Sequence, residues 1–417
     1  MKRYNYLIVG AGAAAASAAS AIRKQDPQGS LLMLGAESDP PYQRPPLSKG
    51  LWLGKDKEED ISLKRPADWE ALGVTLALGD PVINLDPERC VVGTKAGKTF
   101  FYEKLLLATG GQPRPLPTSP GMENRVFSLR SLADYRRLHT RATEGGTVLV
   151  IGGGFLGAEL AVALSLQPGL AVHYCVSGKG PLAHVLPPPL MEQVSARYRE
   201  AGVQLHVEHH FKDLRSESGQ LISRFADGAE ISCDWITYGI GMLSLTALAE
   251  AAGLVMAPGG VRVDDGMRSS DPRIWVSGDL ATYPDPVWGT PLRLEHWDNA
   301  EATGRAAGSS MAGKEVHFQH QSMFYSDIYE FGFEAVGECR SDMDCYTDIS
   351  PGGDKAVVYY LRDDQIHGIL LWNVWDQVKT ARSLIAQKAV VHLQELRGRI
   401  GDWRKQKEGG PNERAGT

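Results

Sequence analysis

Two glycine-rich turns carry the residue types that bind phosphate. The first, Gly10-Ala11-Gly12, follows the apolar run 6–9, and the second, Gly152-Gly153-Gly154, follows the apolar run 148–151. Glycine at a strand-to-helix turn lets the backbone approach a pyrophosphate, and the next helix directs its N-terminus at the negative charge. One such turn is a weak signal. Two in one chain predict two dinucleotides, and therefore a flavoprotein that takes a hydride from a nicotinamide nucleotide.

Each turn belongs to a βαβ pattern. Residues 5–35 indicate a strand, the turn, an alanine-rich helix and a second strand, and residues 147–177 repeat this order. A further strand at 274–276 lies beyond the second turn, so we expect the second unit to be inserted into the first domain. The predicted fold class is α/β, with two Rossmann-like dinucleotide-binding units.

Composition narrows the function classes. The chain has 417 residues, 43% of them hydrophobic, and a formal net charge of -6, which argues against nucleic acid as the main partner. No apolar run approaches the roughly 20 residues of a membrane span, and the first strand begins too early for a secretory or transit peptide. The five cysteines form no Cys-x-x-Cys pair. We therefore expect reduced thiols, a cytoplasmic location, and neither a metal site nor a redox disulfide.

Further polar and small residues follow the strand ends of the N-terminal unit. Ala15 stands where a third small residue must let helix and strand pack closely, and Glu37 stands where an acid would hold the adenosine ribose hydroxyls. Gly278-Asp279 ends the strand at 274–276; the aspartate can accept a bond from a flavin ribityl chain, and the backbone amides can bind its phosphate. These positions predict the FAD site.

The segment Arg44-Pro45-Pro46-Leu47-Ser48-Lys49 combines two prolines with two cations. The prolines stiffen the backbone, so that Arg44 and Lys49 are presented from a fixed loop. A cation near the isoalloxazine ring would stabilise the anionic reduced flavin and raise its potential. The alternative is a solvated basic loop.

Residues near the second turn and after residue 294 could take part in hydride transfer. Phe155 follows the glycines, where its ring could cover the flavin until nicotinamide displaces it; its other role would be a core aromatic. Glu159, one helical turn later, could pair with Lys49. Glu295-His296 precedes a helix, and His296, neutral or charged near physiological pH, could contact both rings or serve only the structure.

The last third of the chain changes character. Residues 356–361 and 366–372 are β-rich runs that indicate a hairpin. A helix is predicted from Asp376 onward and the polar residues 401–417 are expected to form a flexible tail. The predicted apolar face of that helix consists of Val378, Ala381, Leu384, Ile385 and Ala389.

With these residues in view, the chain resembles the flavoprotein family of apoptosis-inducing factor and, less closely, the NAD(P)H-dependent ferredoxin reductases of oxygenase systems. The resemblance covers about residues 5 to 390. Its specific stretches are Pro41–Lys49, Ala108–Gly111, Gly152–Glu159, Glu295-His296, His320–Asp327, Tyr360–Asp363 and Leu371–Asn373.

The resemblance implies two Rossmann-like domains of the glutathione-reductase type, one for FAD at 1–111 and 243–322 and one for NAD(P) at 112–242. It also implies a C-terminal α+β domain at 323–400. It also implies roles for matching residues. Expected FAD contacts are Gly10, Gly12, Ala14, Glu37, Arg44, Lys49, Val82, Ala108, Thr109, Gly110, Arg130, Gly278, Asp279, His296 and Trp297. Expected nicotinamide-nucleotide contacts are Gly154, Phe155, Leu156, Gly241, Glu295, Tyr325, Glu334, Trp372 and Asn373. The expected catalytic residues are Lys49, Phe155, Glu159 and His296.

Four positions depart from that family. Its FAD-ribose acid would fall at Ala36, so Glu37 is expected to supply it. The acid expected after the second unit's last strand is replaced by Ser177-Gly178-Lys179, which leaves the choice between NADH and NADPH open. Ser244-Leu245 replaces a Pro-Asn pair, and Tyr325 stands where the animal protein has tryptophan.

Three functions follow as hypotheses. The leading one is an FAD-dependent NAD(P)H oxidoreductase that passes electrons to an acceptor such as a redox protein or a quinone-like compound. The second is a reductase for ferredoxin or rubredoxin. The third is a redox-gated binding module, a monomer that forms a homodimer when nicotinamide nucleotide binds.

Overall fold

The computed structural model describes residues 3–118 and 121–401, so the predicted tail beyond residue 401 lies outside the described residues. The strands are β1 Arg3–Val9, β2 Leu31–Leu34, β3 Val74–Ala77, β4 Val82–Asp86, β5 Val91–Thr94, β6 Thr99–Leu107, β7 Gly111–Pro113, β8 Val126–Ser128, β9 Gly146–Ile151, β10 Leu170–Cys175, β11 Gln204–His206, β12 Phe211–Glu217, β13 Gln220–Phe225, β14 Glu230–Cys233, β15 Trp235–Tyr238, β16 Met242–Ser244, β17 Met256–Ala257, β18 Gly260–Arg262, β19 Ile274–Val276, β20 Ala281–Pro284, β21 Pro291–Leu292, β22 Met323–Ile328, β23 Phe331–Gly337, β24 Asp344–Ile349, β25 Ala356–Arg362 and β26 Gln365–Trp372. The α-helices are α1 Ala13–Gln25, α2 Pro66–Ala71, α3 Leu132–Thr143, α4 Phe155–Ser165, α5 Pro188–Glu200, α6 Ala247–Ala251, α7 Trp297–Met311, α8 Val378–Ala386 and α9 Leu393–Leu396.

The first sheet has the strand order β3-β2-β1-β6-β5-β4, and β19 also pairs with β6. Its centre is parallel: Ile8 lies opposite Met33 on one side and Leu106 on the other. Strands β1, β2 and β6 are apolar and almost fully buried at their C-terminal ends, as expected of a parallel sheet covered on both faces. Since β19 follows the second sheet in the chain, the chain leaves this sheet and returns to it.

The second parallel sheet has the order β11-β10-β9-β15-β8. Helix α4 connects β9 to β10, so the second glycine turn occupies the same place in its βαβ unit as the first turn does. Two parallel sheets, each with a glycine turn after its central strand, establish the predicted α/β fold class.

Helices α1 and α7 cross at very short range on the first sheet. A Cβ atom at Gly304 would lie 2.2 Å from the backbone oxygen of Ala14, and one at Gly308 would lie 2.3 Å from that of Ala18. Small residues on both helices allow this close approach. The sequence alone did not reveal that α1 and α7 would pack against each other.

The described chain divides into two compact bodies. The larger body comprises the described residues up to Lys179 together with Tyr198–Ser322, and the smaller body comprises Gly180–Arg197 together with the described residues from Met323 onward. Both parallel sheets belong to the larger body. The three-domain division expected from the sequence stays a prediction.

The smaller body is built on an antiparallel sheet of order β22-β23-β26-β25-β24. The predicted hairpin is present, with Asp363 and Asp364 both at positive φ between β25 and β26, as a two-residue type I′ turn requires. Helix α8 ends at Ala386, and Lys388 has a φ of 52° that cannot continue a helix. Ala389 is therefore exposed rather than on the apolar face, and that part of the prediction was wrong.

Among residues 3–118 and 121–401, no helix has both the length and the apolar character that crossing a bilayer requires.

Candidate functional site

The larger body contains a cavity of about 910 Å³ at the C-terminal ends of the first sheet's strands. This volume is at the upper end of the roughly 300–1,000 Å³ that small-molecule sites occupy. We call it the main cavity. Sixteen residues predicted to bind cofactor line it: Gly10, Gly12, Ala14, Glu37, Arg44, Val82, Ala108, Thr109, Gly110, Arg130, Leu156, Gly278, Asp279, Glu295, His296 and Trp297.

The first glycine turn forms one wall of the main cavity. Gly10 has a φ of 121°, and a Cβ atom there would lie 2.1 Å from the backbone oxygen of Ala108. Gly12 caps helix α1 with no side-chain hydrogen bond, and the first helical turn holds no acidic residue. The helix therefore offers backbone N–H groups to an anion, which fits the pyrophosphate of a dinucleotide.

Glu37 lies at the centre of a polar cluster on the cavity wall. A guanidinium nitrogen of Arg44 lies 2.6 Å from Glu37 Oε1, and the Tyr42 hydroxyl donates to Glu37 Oε2 at 2.5 Å. Burial raises the pKa of Tyr42 well above its usual value, so the hydroxyl keeps its proton. Arg44 also donates to the Arg130 backbone oxygen at 2.6 Å. Arg44 thus holds Glu37 in place, and the alternative of a solvated basic loop does not describe it. The ribose contact of Glu37 stays a prediction.

Asp279 follows β19 and is buried at the cavity wall. Arg130 lies 2.9 Å from its Oδ2 atom, and the Gly278 N–H donates to the Thr303 hydroxyl at 2.9 Å. The aspartate is compensated by Arg130 yet keeps lone pairs for a further donor. A sugar-alcohol hydroxyl fits this position.

Lys49 and Glu159 form the ion pair expected from the sequence. Lys49 Nζ lies 3.2 Å from Glu159 Oε1, and both side chains are largely buried. The Ser48 hydroxyl donates to Glu159 Oε2 at 2.6 Å and itself lines the main cavity. Ser48 was missed at the sequence level, although a hydroxyl next to Lys49 in a proline-stiffened loop could have marked it.

His296 caps the N-terminus of helix α7 and faces the main cavity. Burial lowers the pKa of His296 from 6.5 to about 4, although Asp279 and Asp298 oppose this change. Of the two charge states left open by the sequence, the structure favours the neutral imidazole at pH 7.

This shifted pKa makes a prediction about stability. The unfolded chain takes up a proton on His296 near pH 6.5 and the folded chain only near pH 4, so stability should fall as pH drops through this window. Because the side chain faces an open cavity, we expect a loss of only about 1–2 kcal/mol. Thermal midpoints from pH 8 to pH 4 should decline less for His296→Gln than for wild type. The same decline of the thermal midpoint with pH in both proteins would contradict the assignment of the low pKa to His296.

The second glycine turn begins helix α4. Gly152 has a φ of 134°, a Cβ atom there would lie 2.3 Å from the Gly239 backbone oxygen, and Gly154 caps the helix. Phe155 is the first helical residue and is partly exposed, while its neighbour Leu156 lines the main cavity and Phe155 does not. That the Phe155 ring covers the flavin stays a prediction. The nucleotide contact of Gly241 also stays a prediction, and Gly241 has a positive φ as well.

Four predicted nucleotide contacts lie in the smaller body. Tyr325 and Glu334 face each other across β22 and β23, Trp372 ends β26, and Asn373 accepts a hydrogen bond from the Gly332 N–H at 2.8 Å.

The carboxylate of Glu334 has one hydrogen-bond acceptor that is not satisfied by any described residue. Its Oε2 atom is buried and has no hydrogen-bond partner within the described part of the chain. Burial, reinforced by Asp376, raises the pKa of this carboxyl. A buried acceptor of this kind suits an amide donor such as a carboxamide.

Several apolar residues that line the main cavity were missed. They are far from both glycine turns in sequence, and only folding brings them to the cavity. They include Ile83, Met242, Leu245, Leu248 and Ala251, the last two from helix α6.

Comparison with known proteins agrees with this geometry. Residues 4–304 match the family model described as pyridine nucleotide-disulphide oxidoreductase, and residues 347–387 match that of the apoptosis-inducing factor, mitochondrion-associated, C-terminal region. The chain belongs to the pyridine nucleotide-disulphide oxidoreductase family. The prediction of an FAD-dependent NAD(P)H oxidoreductase is thereby confirmed.

Three relatives illustrate the range of similar proteins. Apoptosis-inducing factor 1, mitochondrial, of Dictyostelium discoideum is 30% identical over 94% of this chain and 80% of its own length. Rubredoxin-NAD(+) reductase of Ectopseudomonas oleovorans is 33% identical over 80% of this chain and 86% of its own. The putidaredoxin reductase in a covalent complex with putidaredoxin has a TM-score of 0.87 at 27% identity, covering 97% of this chain and 99% of that one.

Proposed function

We propose that this protein is a reductase that passes electrons from a nicotinamide nucleotide, through FAD, to a small iron–sulfur protein or rubredoxin. The observation that carries the proposal is the structural similarity over 97% of the chain to a reductase solved in complex with its redox protein. The named redox proteins of other relatives, rubredoxin and terpredoxin among them, support it.

The FAD would lie in the main cavity. Bound there, it supplies a centre that accepts a hydride and gives up electrons singly. The first glycine turn and helix α1 would hold its pyrophosphate, Glu37 its adenosine ribose, and Asp279 its ribityl chain. Glu159 would hold the Lys49 ammonium group in place behind the part of the cavity wall that Ser48 forms. The second glycine turn and Leu156 would position the nicotinamide nucleotide.

The cysteines favour an external acceptor over an internal disulfide. All five are free thiols in the structure, at positions 90, 175, 233, 339 and 345, and none lines the main cavity. Electrons that reach the cofactor therefore have no neighbouring disulfide to reduce. The predicted cytoplasmic location and the three-domain division are parts of this proposal.

The test uses the purified flavoprotein and two probe partners, putidaredoxin and a rubredoxin. Cytochrome c reduction driven by NADH should rise at least about tenfold when one probe is added, because cytochrome c would receive electrons only through it. Flavin bleaching in anaerobic stopped flow provides the control that the first half-reaction works. Rapid bleaching with no stimulation by either probe would refute the proposal for these partner classes.

A second candidate rests on the C-terminal match to the apoptosis-inducing-factor model at residues 347–387. It is a slow, partner-independent oxidoreductase whose nicotinamide complex persists and forms a homodimer. Persistent long-wavelength absorbance after NADH addition, together with a shift from monomer to dimer in sedimentation, would favour this candidate. An unchanged monomer would exclude it.

The Lys49–Glu159 pair gives a further prediction. Lys49→Met keeps the length of the side chain but removes its charge, so we expect flavin reduction by NADH to slow by about 10- to 100-fold. Because the variant removes the positive charge beside the buried Glu159 carboxylate, the double variant Lys49→Met with Glu159→Gln serves as the control for folding. It should recover thermal stability but not the rate. A rate in Lys49→Met equal to wild type would contradict an electrostatic role.

A further inference from the structure

The N-terminal βαβ unit fixes its ribose-binding acid through a set of backbone hydrogen bonds. The Gly10 N–H donates to the Leu34 backbone oxygen at 2.8 Å. Three residues after Leu34, the backbone oxygen of Glu37 accepts from the Gly79 N–H at 2.9 Å. Gly79 has a φ of 75°. Glu37 is thereby held on the loop after β2, at the edge of the main cavity.

The second βαβ unit repeats these bonds. The Gly152 N–H donates to the Cys175 backbone oxygen at 3.0 Å, and three residues later the backbone oxygen of Gly178 accepts from the Glu208 N–H at 2.9 Å. Glu208 has a φ of 60°, like its counterpart in the first unit. Gly178 therefore occupies, in the second unit, the position that Glu37 occupies in the first.

The surroundings of Gly178 change the charge of this position. Its neighbours Ser177 and Lys179 are both exposed. The loop that packs against it carries Glu208, which is exposed, and His209, whose ring nitrogen lies 2.5 Å from Asp227. A hydroxyl and an ammonium group thus flank the place where the first unit has a carboxylate.

This position decides between the two nicotinamide nucleotides. A carboxylate after the second strand accepts hydrogen bonds from the adenosine ribose and repels a 2′-phosphate, whereas serine and lysine can bind one. We infer that the second dinucleotide site accepts NADPH with an efficiency within about tenfold of that for NADH, and that Ser177 and Lys179 meet the 2′-phosphate. The inference rests on the proposed function, because it requires the second turn to bind nicotinamide nucleotide.

The test compares kcat/KM for NADPH and NADH in anaerobic flavin reduction. For wild type the NADPH-to-NADH ratio should exceed about one-tenth. Gly178→Glu should lower the NADPH-to-NADH ratio of kcat/KM by at least about 30-fold, since it restores the carboxylate. Gly178→Ala is the matched control for side-chain bulk and should keep the wild-type ratio. Lys179→Gln should lower the NADPH-to-NADH ratio of kcat/KM by about tenfold.

Three results would overturn the inference. The first is a wild-type NADPH-to-NADH ratio below about one-tenth, and the second is a ratio that Gly178→Glu does not change. The third is a ratio that rises more than about tenfold in Glu208→Gln, which would show that the Glu208 carboxylate acts as the missing acid. If neither nucleotide reduces the flavin in wild type, the proposed function fails. If NADH reduces it and NADPH does not, only this inference fails.

Discussion

Gly10→Ala should yield protein almost without flavin, whereas Gly152→Ala should keep its flavin and lose reduction by nicotinamide nucleotide. Both glycines have positive φ, and in both a Cβ atom would come within 2.3 Å of a backbone oxygen. An alanine at either position must distort the turn that brings the backbone to a pyrophosphate. Because the two turns lie in different βαβ units, the two functions should separate.

The measurements are the flavin-to-protein absorbance ratio and the stopped-flow rate of flavin reduction. We expect Gly10→Ala to retain less than about a tenth of the wild-type flavin and Gly152→Ala to lose at least about 100-fold in kcat/KM for NADH. Each variant is the control for the other, since both introduce the same side chain into the same kind of turn. Full flavin in Gly10→Ala would contradict the assignment of the first turn to FAD.

Gly308→Val should strongly destabilise the larger body. The new side chain would meet the backbone of Ala18, because a Cβ atom at Gly308 already lies 2.3 Å from the Ala18 oxygen. Backbone cannot move away as a flexible side chain could, so α1 and α7 must separate and lose packing on both sides. We expect a cost of at least about 3 kcal/mol.

The measurement is the apparent thermal midpoint, taken at one scan rate because a flavoprotein of this size can unfold irreversibly. A loss of about 3 kcal/mol corresponds to roughly 5 °C for a body of about 300 residues, because the unfolding entropy is about 2.1 cal/mol/K per residue. Arg305→Val is the matched control, since Arg305 lies on the exposed face of the same helix. It should change the midpoint by no more than about 2 °C. Equal shifts in the two variants would show that helix propensity, rather than the crossing, sets the effect.

Local sequence signals located part of the cavity wall. The two glycine turns, the strand ends before Gly110 and Gly278, and the proline-stiffened segment after Arg44 are each defined by a few neighbouring residues. Such signals are readable because a positive φ, a close backbone approach or a fixed φ admits few residue types. The family resemblance then supplied roles for individual residues. All of these roles stay predictions, including those of Phe155, Gly241 and the four residues in the smaller body.

Contacts between distant segments were harder to read. The Ser48 hydroxyl donates a hydrogen bond to Glu159, which is far away in the sequence. Arg44 forms an ion pair with Glu37 and is not an isolated cation. The failure at Ala389 has a local cause, since Lys388 adopts a positive φ that apolar spacing does not reveal.

The sequence by itself determined that this chain folds as two dinucleotide-binding βαβ units and carries the residues of an FAD-dependent oxidoreductase, because backbone conformation at a glycine turn is a local property. The tertiary structure alone decided that Gly304 and Gly308 set the crossing of α1 and α7, and that burial lowers the pKa of His296. Each of these depends on hydrogen bonds, packing or burial by residues far away in the chain, which no local pattern encodes.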